Sequence, residues 1–205
     1  MKPFAPKPAI QLGLFALLSA ALLAGLHTLT KSNIQRNQAQ RTAQLLANVT
    51  STTDSTPKRT QLTLNGHRHT LWRVYRDEQV IEAVLEVTAS GGYSGDIDLL
   101  VGINQKLVIS GVRVTYHRET PGLGDKIDTR RSPWIESFKG LSLGQPAPEQ
   151  WAVKKDGGYF DQFTGATITP RAVVKAVRDT LVFSQKNHSQ LFHPNSPPDN
   201  QGEQP

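Results

Sequence analysis

The longest feature in the hydropathy pattern comes first along the chain. No side chain between Pro8 and Thr30 is charged, and the run from Ile10 to Leu29 is mostly Leu and Ala. About 20 apolar residues wound as a helix cover about 30 Å, the depth of a bilayer's hydrocarbon core. Residues 9–30 are therefore expected to span a membrane once, with residues 1–8 as the flank before it. A cleaved signal peptide is the rival reading, because Ala20, Ala21, Ala24 and Gly25 are small. The apolar stretch is longer than the usual signal core, and polar chain continues smoothly past it. Residues 31–49 read as the same helix leaving the membrane. Residues 50–60 have loop composition, so 31–60 is expected to be a helical stalk and linker.

Beyond Thr60 the texture changes to short β segments. Residues 70–75 and 80–87 read as strands, the second with Ile81, Ala83, Leu85 and Val87 on one face and Glu82 and Glu86 on the other. After Gly91-Gly92, two more strands are expected over residues 97–103 and 107–115. Ser132-Pro133-Trp134 carries a helix start, with Ser as cap and Pro in the first helical position, and that helix should end near Gly140. Residues 151–154 and 159–163 flank Asp156-Gly157-Gly158 and read as a hairpin. A last helix is expected to open at Thr169-Pro170 and to align Val173, Val174, Val177 and Leu181 on one face. From Lys186 the chain is rich in Pro, Asn, Gln and Ser, which predicts a disordered tail over 186–205. Strands and helices mix without strict βαβ alternation, so the fold class is α+β, with one domain over residues 61–185.

Composition changes this picture mainly by exclusion. The chain has 205 residues and no cysteine, so it can hold no disulfide, thiolate zinc site, cysteine-ligated iron–sulfur cluster or cysteine nucleophile. Any redox chemistry must come from a cofactor held by other means. With 23 Lys+Arg against 17 Asp+Glu the net charge is +6, and no basic cluster is interleaved with aromatics, so nucleic acid is not an expected partner. Lys2 and Lys7 flank one end of the apolar segment while Lys31, Arg36 and Arg41 flank the other, so the positive-inside rule leaves orientation undecided.

Asp161-Gln-Phe-Thr-Gly-Ala-Thr167-Ile-Thr-Pro170 is the stretch that carries chemistry. Gly165 and Ala166 leave room for close approach to the backbone, and Thr169 could cap the helix that Pro170 opens. Free backbone N–H groups beside Thr167 would then favour an anion, phosphate above all. The plain alternative is a tight turn leading into a capped helix. The pattern Asp-x-x-Thr-Gly-Ala-Thr resembles the flavinylation motif of the FMN-binding domains in Rnf/Rsx- and Nqr-type ion-translocating respiratory complexes. In that family the last threonine of the motif carries FMN through a phosphoester, attached from FAD by a dedicated, Mg-dependent flavin transferase. Thr167 is the matching residue, with Thr164, Gly165, Ala166 and Thr169 around it and Asp161 as the residue the transferase recognises. Glu119-Thr-Pro-Gly-Leu-Gly-Asp125 is similar to the family loop that lies against the flavin, implying contacts from Glu119, Thr120, Gly122, Leu123 and Gly124. Gly92-Tyr-Ser-Gly95 is similar to its other ring loop, implying Tyr93 and Ser94. Trp151-Ala-Val-Lys-Lys-Asp-Gly-Gly158 also matches, and Lys154 or Lys155 could offset flavin or phosphate charge.

The resemblance implies an electron carrier with covalent FMN, a redox relay within a larger translocating oxidoreductase and not catalytic alone. Its partners would be the other subunits, the flavin transferase during maturation and the membrane. It would sit in a bacterial inner membrane with the C-terminal domain in the periplasm. The alternative is a membrane-anchored, non-enzymatic FMN-domain sensor or assembly protein. Other motifs are weaker. Gly92-Tyr-Ser-Gly-Asp96 is not a nucleophile elbow, and Gly122-Leu-Gly124 lacks the third glycine of a dinucleotide fingerprint because position 127 is Ile. His67 and His69 could share a strand face, but no third metal ligand accompanies them, and no metal site is expected. Trp72, Trp134 and Trp151 read as core, and His117 as surface.

Overall fold

The computed structural model describes residues 6–52, 55–64 and 67–193, and the chain divides into two compact units, Met1–Ala43 and Gln44–Pro205. The first unit is helical throughout its described part, belonging to a single helix α1 (Pro6–Val49). Leu17, Leu18, Leu22 and Leu23 lie on different sides of this helix, and all are more than half exposed. A helix apolar all round has no water-facing side, and Ile10–Lys31 is long and apolar enough to cross a bilayer. Within it the Thr28 hydroxyl donates to the Ala24 carbonyl at 2.7 Å, so that polar group finds its partner inside the helix.

The second unit is built on a five-stranded antiparallel meander in the order β1-β2-β3-β4-β5. The strands are β1 (Lys58–Leu64), β2 (His67–Arg76), β3 (Gln79–Gly92), β4 (Gly95–Asn104) and β5 (Ile109–Tyr116). Asp77 and Glu78 both take positive φ, 48° and 66°, the two-residue turn whose twist suits a hairpin. Helix α2 (Ile168–Lys186) covers one face, placing Val173, Val177 and Leu181 against Leu85, Leu99 and Val101. Alternation along β4 sends Leu100 and Gly102 to the other face.

That second face, on which Glu82 lies, is not open to water. The last turns of α1 bring Leu46 and Val49 onto it, against Trp72, Val84 and Leu100. Glu82 is only 2 % exposed, and its carboxylate accepts from the Ser51 N–H at 3.0 Å and the Ser51 hydroxyl at 2.7 Å. Gly102 and Gly111 form the notch for Val49: a Cβ on Gly102 would stand 2.6 Å from both Val49 Cγ1 and the Val49 carbonyl. Gly102→Ala is therefore expected to destabilise the domain by about 1–3 kcal/mol, since the helix end must move to admit a methyl. Thermal unfolding of the full chain in detergent reads this; an unchanged melting temperature would mean that the seat is not tight.

Several boundaries differ from the sequence reading. β1 starts at Lys58, inside the expected linker, and the Ser55 hydroxyl donates to the Tyr75 carbonyl at 2.7 Å. Residues 186–193 are not a loose tail. α2 runs to Lys186 and a short α3 (His188–Phe192) follows, with Leu191 and Phe192 buried. Buried Arg73 holds α3 by donating to the Leu191 and Gln190 carbonyls at 2.9 and 2.6 Å, where a helix's unpaired carbonyls favour a cation. Residues 1–5 and 194–205, part of the expected flank and tail, lie outside the described residues. Ser132 caps as expected, accepting from the Trp134 N–H at 3.2 Å, but the element it opens is a 3-10 helix (Pro133–Phe138). The expected hairpin is instead a one-turn 3-10 helix (Lys154–Asp156) and a single parallel bridge, Val153↔Phe160, with Gly157 at φ +84° reversing the chain.

Candidate functional site

Helix α2 opens two residues earlier than expected, at Ile168 rather than Pro170, with Thr167 as the flanking residue. The Thr167 carbonyl accepts the first turn's bond from the Arg171 N–H at 3.3 Å, but its side chain makes no capping bond. Pro170 has no N–H, and those of Ile168 and Thr169 precede the first intrahelical bond, so donors at this helix start are left for another acceptor. Thr169 is not the cap. It is fully buried, and its hydroxyl donates to the Glu119 carboxylate. Just upstream, Ala166 N–H donates to the Phe163 carbonyl at 3.0 Å across a tight turn with Gly165 at φ +80°. A Cβ on Gly165 would lie 3.5 Å from Leu123 Cδ2, which puts the 119–125 loop beside the Thr164–Thr167 turn.

Glu119 joins these segments. It is 4 % exposed, and besides the Thr169 hydroxyl it accepts the Ser94 N–H at 3.0 Å. The loop after it is folded on itself: the Leu123 and Gly124 N–H groups donate to the Thr120 carbonyl at 3.1 and 3.2 Å. Gly122, at φ +80°, donates its N–H to Asp125 Oδ1 at 2.8 Å, and Asp125 also pairs with Arg131 at 3.4 Å. His117, read as a surface residue, accepts the Glu119 N–H on Nδ1 at 3.2 Å. Tyr93 is 70 % exposed, and Leu123 and Ile168 are exposed as well. Large apolar side chains standing in water around one polar helix start mark a place where a partly apolar ligand can be covered.

Asp161 and Lys154 are engaged with each other. The exposed Asp161 carboxylate meets Lys154 Nζ at 2.6 Å, and the Asp161 carbonyl accepts the Trp134 indole N–H at 2.8 Å. Lys154 and Asp161 thus form an exposed surface pair. Arg171 in the first turn of α2 grips Asp156 with two bonds at 2.5 and 2.6 Å, and that guanidinium holds the Asp156 carboxyl below the usual carboxylate range. Beside Asp161, Trp134 and Tyr159 wall a cleft of about 570 Å³.

The structure therefore brings together Tyr93–Ser94, the 119–124 loop and Thr164–Thr169 around one buried carboxylate. It ties Lys154 to Asp161 separately. The sequence reading missed Asp125, Trp134 and Ile168. The signal for Asp125 was local, because a glycine turn at positive φ needs an acceptor for its N–H, and a following Asp supplies one. Trp134 depends on a contact between distant segments, its indole N–H on the Asp161 carbonyl, and Ile168 on its exposure at the start of α2.

These residues fit FMN. A hydroxyl free of capping duty adjoins a helix start that favours phosphate, and exposed Leu123, Ile168 and Tyr93 offer apolar cover to a planar ring. Gly95 and Gly122 both face open space where a Cβ would stand, which leaves backbone accessible to a ligand. Comparison with known proteins agrees. A family model described as FMN-binding domain matches residues 92–182, and one described as RnfG N-terminal region matches residues 1–49. The chain is 41 % identical over 202 residues to the G subunit of the ion-translocating oxidoreductase complex of Pseudoalteromonas atlantica, covering 94 % of each. It is 43 % identical over 192 residues to the protein of that name from Escherichia coli K12, covering 90 % of this chain and 93 % of that one. With the Photorhabdus laumondii protein of the same name the identity is 45 % over 184 residues, covering 86 % and 88 %.

Proposed function

The chain belongs to the family of G subunits of ion-translocating oxidoreductase complexes, and from that premise we propose that it relays electrons through FMN held covalently on Thr167. It is an electron-transport subunit with an FMN-binding domain and one helix apolar enough to span a membrane. FMN exchanges one or two electrons, which suits a relay between unlike partners; the protein supplies placement, hydrogen bonds and field. One observation carries the attachment reading. The Thr167 hydroxyl sits at a helix start, uncommitted to capping, beside a glycine turn. Loading would form the Thr167 Oγ–phosphorus bond as the pyrophosphate of FAD breaks, with AMP leaving and the hydroxyl proton released. The phosphodiester keeps one negative charge, which the N–H groups of Ile168 and Thr169 would stabilise. The domain would face the periplasm and contact other subunits of its complex there. Co-expression with a flavin transferase, then denaturing electrophoresis under ultraviolet light, tests this: the wild-type band should fluoresce, and a dark band would overturn it.

Asp161 is read as the handle for the transferase. Its carboxylate is exposed and, among the described residues, bonded only to an exposed lysine, a pair worth little to stability. Asp161→Ala is expected to lower flavin loading severalfold while circular dichroism stays that of the folded domain. An unfolded variant would make Asp161 structural instead.

A further inference from the structure

Glu119 stands where the sequence places a flavin contact, yet its carboxylate is turned inward. Only 4 % of the residue is exposed, and each oxygen already has a protein donor: the Ser94 N–H at 3.0 Å on one, the Thr169 hydroxyl on the other. Among the described residues no lysine, arginine or histidine pairs with it. A buried carboxylate without a cation is costly and persists only when its hydrogen bonds are satisfied. The neighbouring chain is shaped to close over it. A Cβ on Gly92 would stand 2.9 Å from Glu119 Oε1, and one on Gly124 would stand 2.7 Å from both Glu119 Oε2 and Thr169 Oγ1. Two of the three segments that meet here thus approach through glycine, and the third through a buried hydroxyl.

We infer that Glu119 is a positioning residue: its two oxygens latch the 92–95 loop and the start of α2 to the 119–125 loop, so that Tyr93, Leu123 and Thr167 are presented together. It acts through Ser94 and Thr169 rather than by touching the ligand. The consequence for loading rests on the reading of Thr167 as the attachment point. Because the latch works by hydrogen bonding, glutamine should replace glutamate. Its carbonyl can accept from Ser94, and its amide can donate to the Thr169 oxygen. Alanine breaks both links at once.

The test uses the full chain in detergent. First, amide exchange across residues 92–95 is measured in flavin-free protein. Second, the rate of loading is followed with a flavin transferase and FAD. Glu119→Ala should speed exchange at Ser94 and slow loading, each by about tenfold or more, the scale of losing a hydrogen bond to a charged group. Glu119→Gln should stay within about twofold of wild type on both, since the links are kept. A folded Glu119→Ala protein that protects Ser94 and loads normally would overturn the inference, as would Glu119→Gln behaving like alanine. Should Glu119→Ala fail to fold, Thr169→Val keeps the shape and removes one link; slowed loading supports the latch and wild-type loading overturns it. If wild-type protein takes up no flavin, the attachment reading falls, while Ser94 exchange in the alanine and glutamine variants still decides the latch.

Discussion

Thr167→Ala is expected to abolish covalent flavin completely while leaving the domain folded. Under ultraviolet light its band on a denaturing gel should be dark where the wild-type band fluoresces. The folding half of this expectation follows from the cap geometry. Loss of an N-cap side chain commonly costs about 1 kcal/mol, but the Thr167 hydroxyl makes no capping bond, so that penalty does not arise. The chemical half follows from position. Thr167 flanks the start of α2, where the N–H groups of Ile168 and Thr169 lack intrahelical acceptors and can hold a phosphate. Thr164 provides the control. It is exposed and three residues upstream, in the turn closed by the Ala166 N–H on the Phe163 carbonyl. Thr164→Ala should keep the fluorescent band. A bright Thr167→Ala band together with a dark Thr164→Ala band would move the attachment to Thr164.

Much of this site was legible because its signals are local. The Thr-Gly-Ala-Thr run and the Glu-Thr-Pro-Gly-Leu-Gly loop are contiguous, and each fixes its own backbone. Alternation in β3 likewise marks that strand without knowledge of what covers it. What was not legible depends on which distant segments meet. Glu82 alternates as an outward residue, and only the arrival of Leu46 and Val49 from α1 turns its face into core. Thr169 followed by Pro170 reads as a helix cap, yet a buried carboxylate 50 residues upstream claims its hydroxyl. Leu191 and Phe192 are two apolar residues in a polar stretch, too few to shift its composition, and a buried Arg73 more than 100 residues away holds their helix. In each case a tertiary partner outweighed the local preference.

The largest loss of stability is expected from Gly158→Ala, in the segment read as a plain hairpin. A Cβ at this position would stand 2.0 Å from the Ala152 carbonyl oxygen, 2.2 Å from its carbon and 2.6 Å from its Cα. All three atoms are backbone, so no rotamer change relieves the overlap; the two chain segments must part. They are held by Gly158 N–H on the Val153 carbonyl at 3.0 Å and by Phe160 N–H on the Ala152 carbonyl at 3.1 Å. Parting them pulls Trp151 and Phe160 from Phe138, whose ring stacks on Phe160 at 4.5 Å. The cost should be about 3–4 kcal/mol, above the usual range for overpacking because only backbone can yield. For a domain of this size that lowers the melting temperature by on the order of 10 °C. Gly157→Ala separates strain from collision. Gly157 holds φ +84° but faces open space, so alanine there meets only the left-handed backbone penalty of about 1–2 kcal/mol. Gly158→Ala melting no lower than Gly157→Ala would mean that the 151–160 segment yields freely. The turn bearing Thr164 and Gly165 follows directly from Phe160 and Phe163. A yielding segment would therefore leave that turn without the fixed footing on which the placement of Thr167 depends.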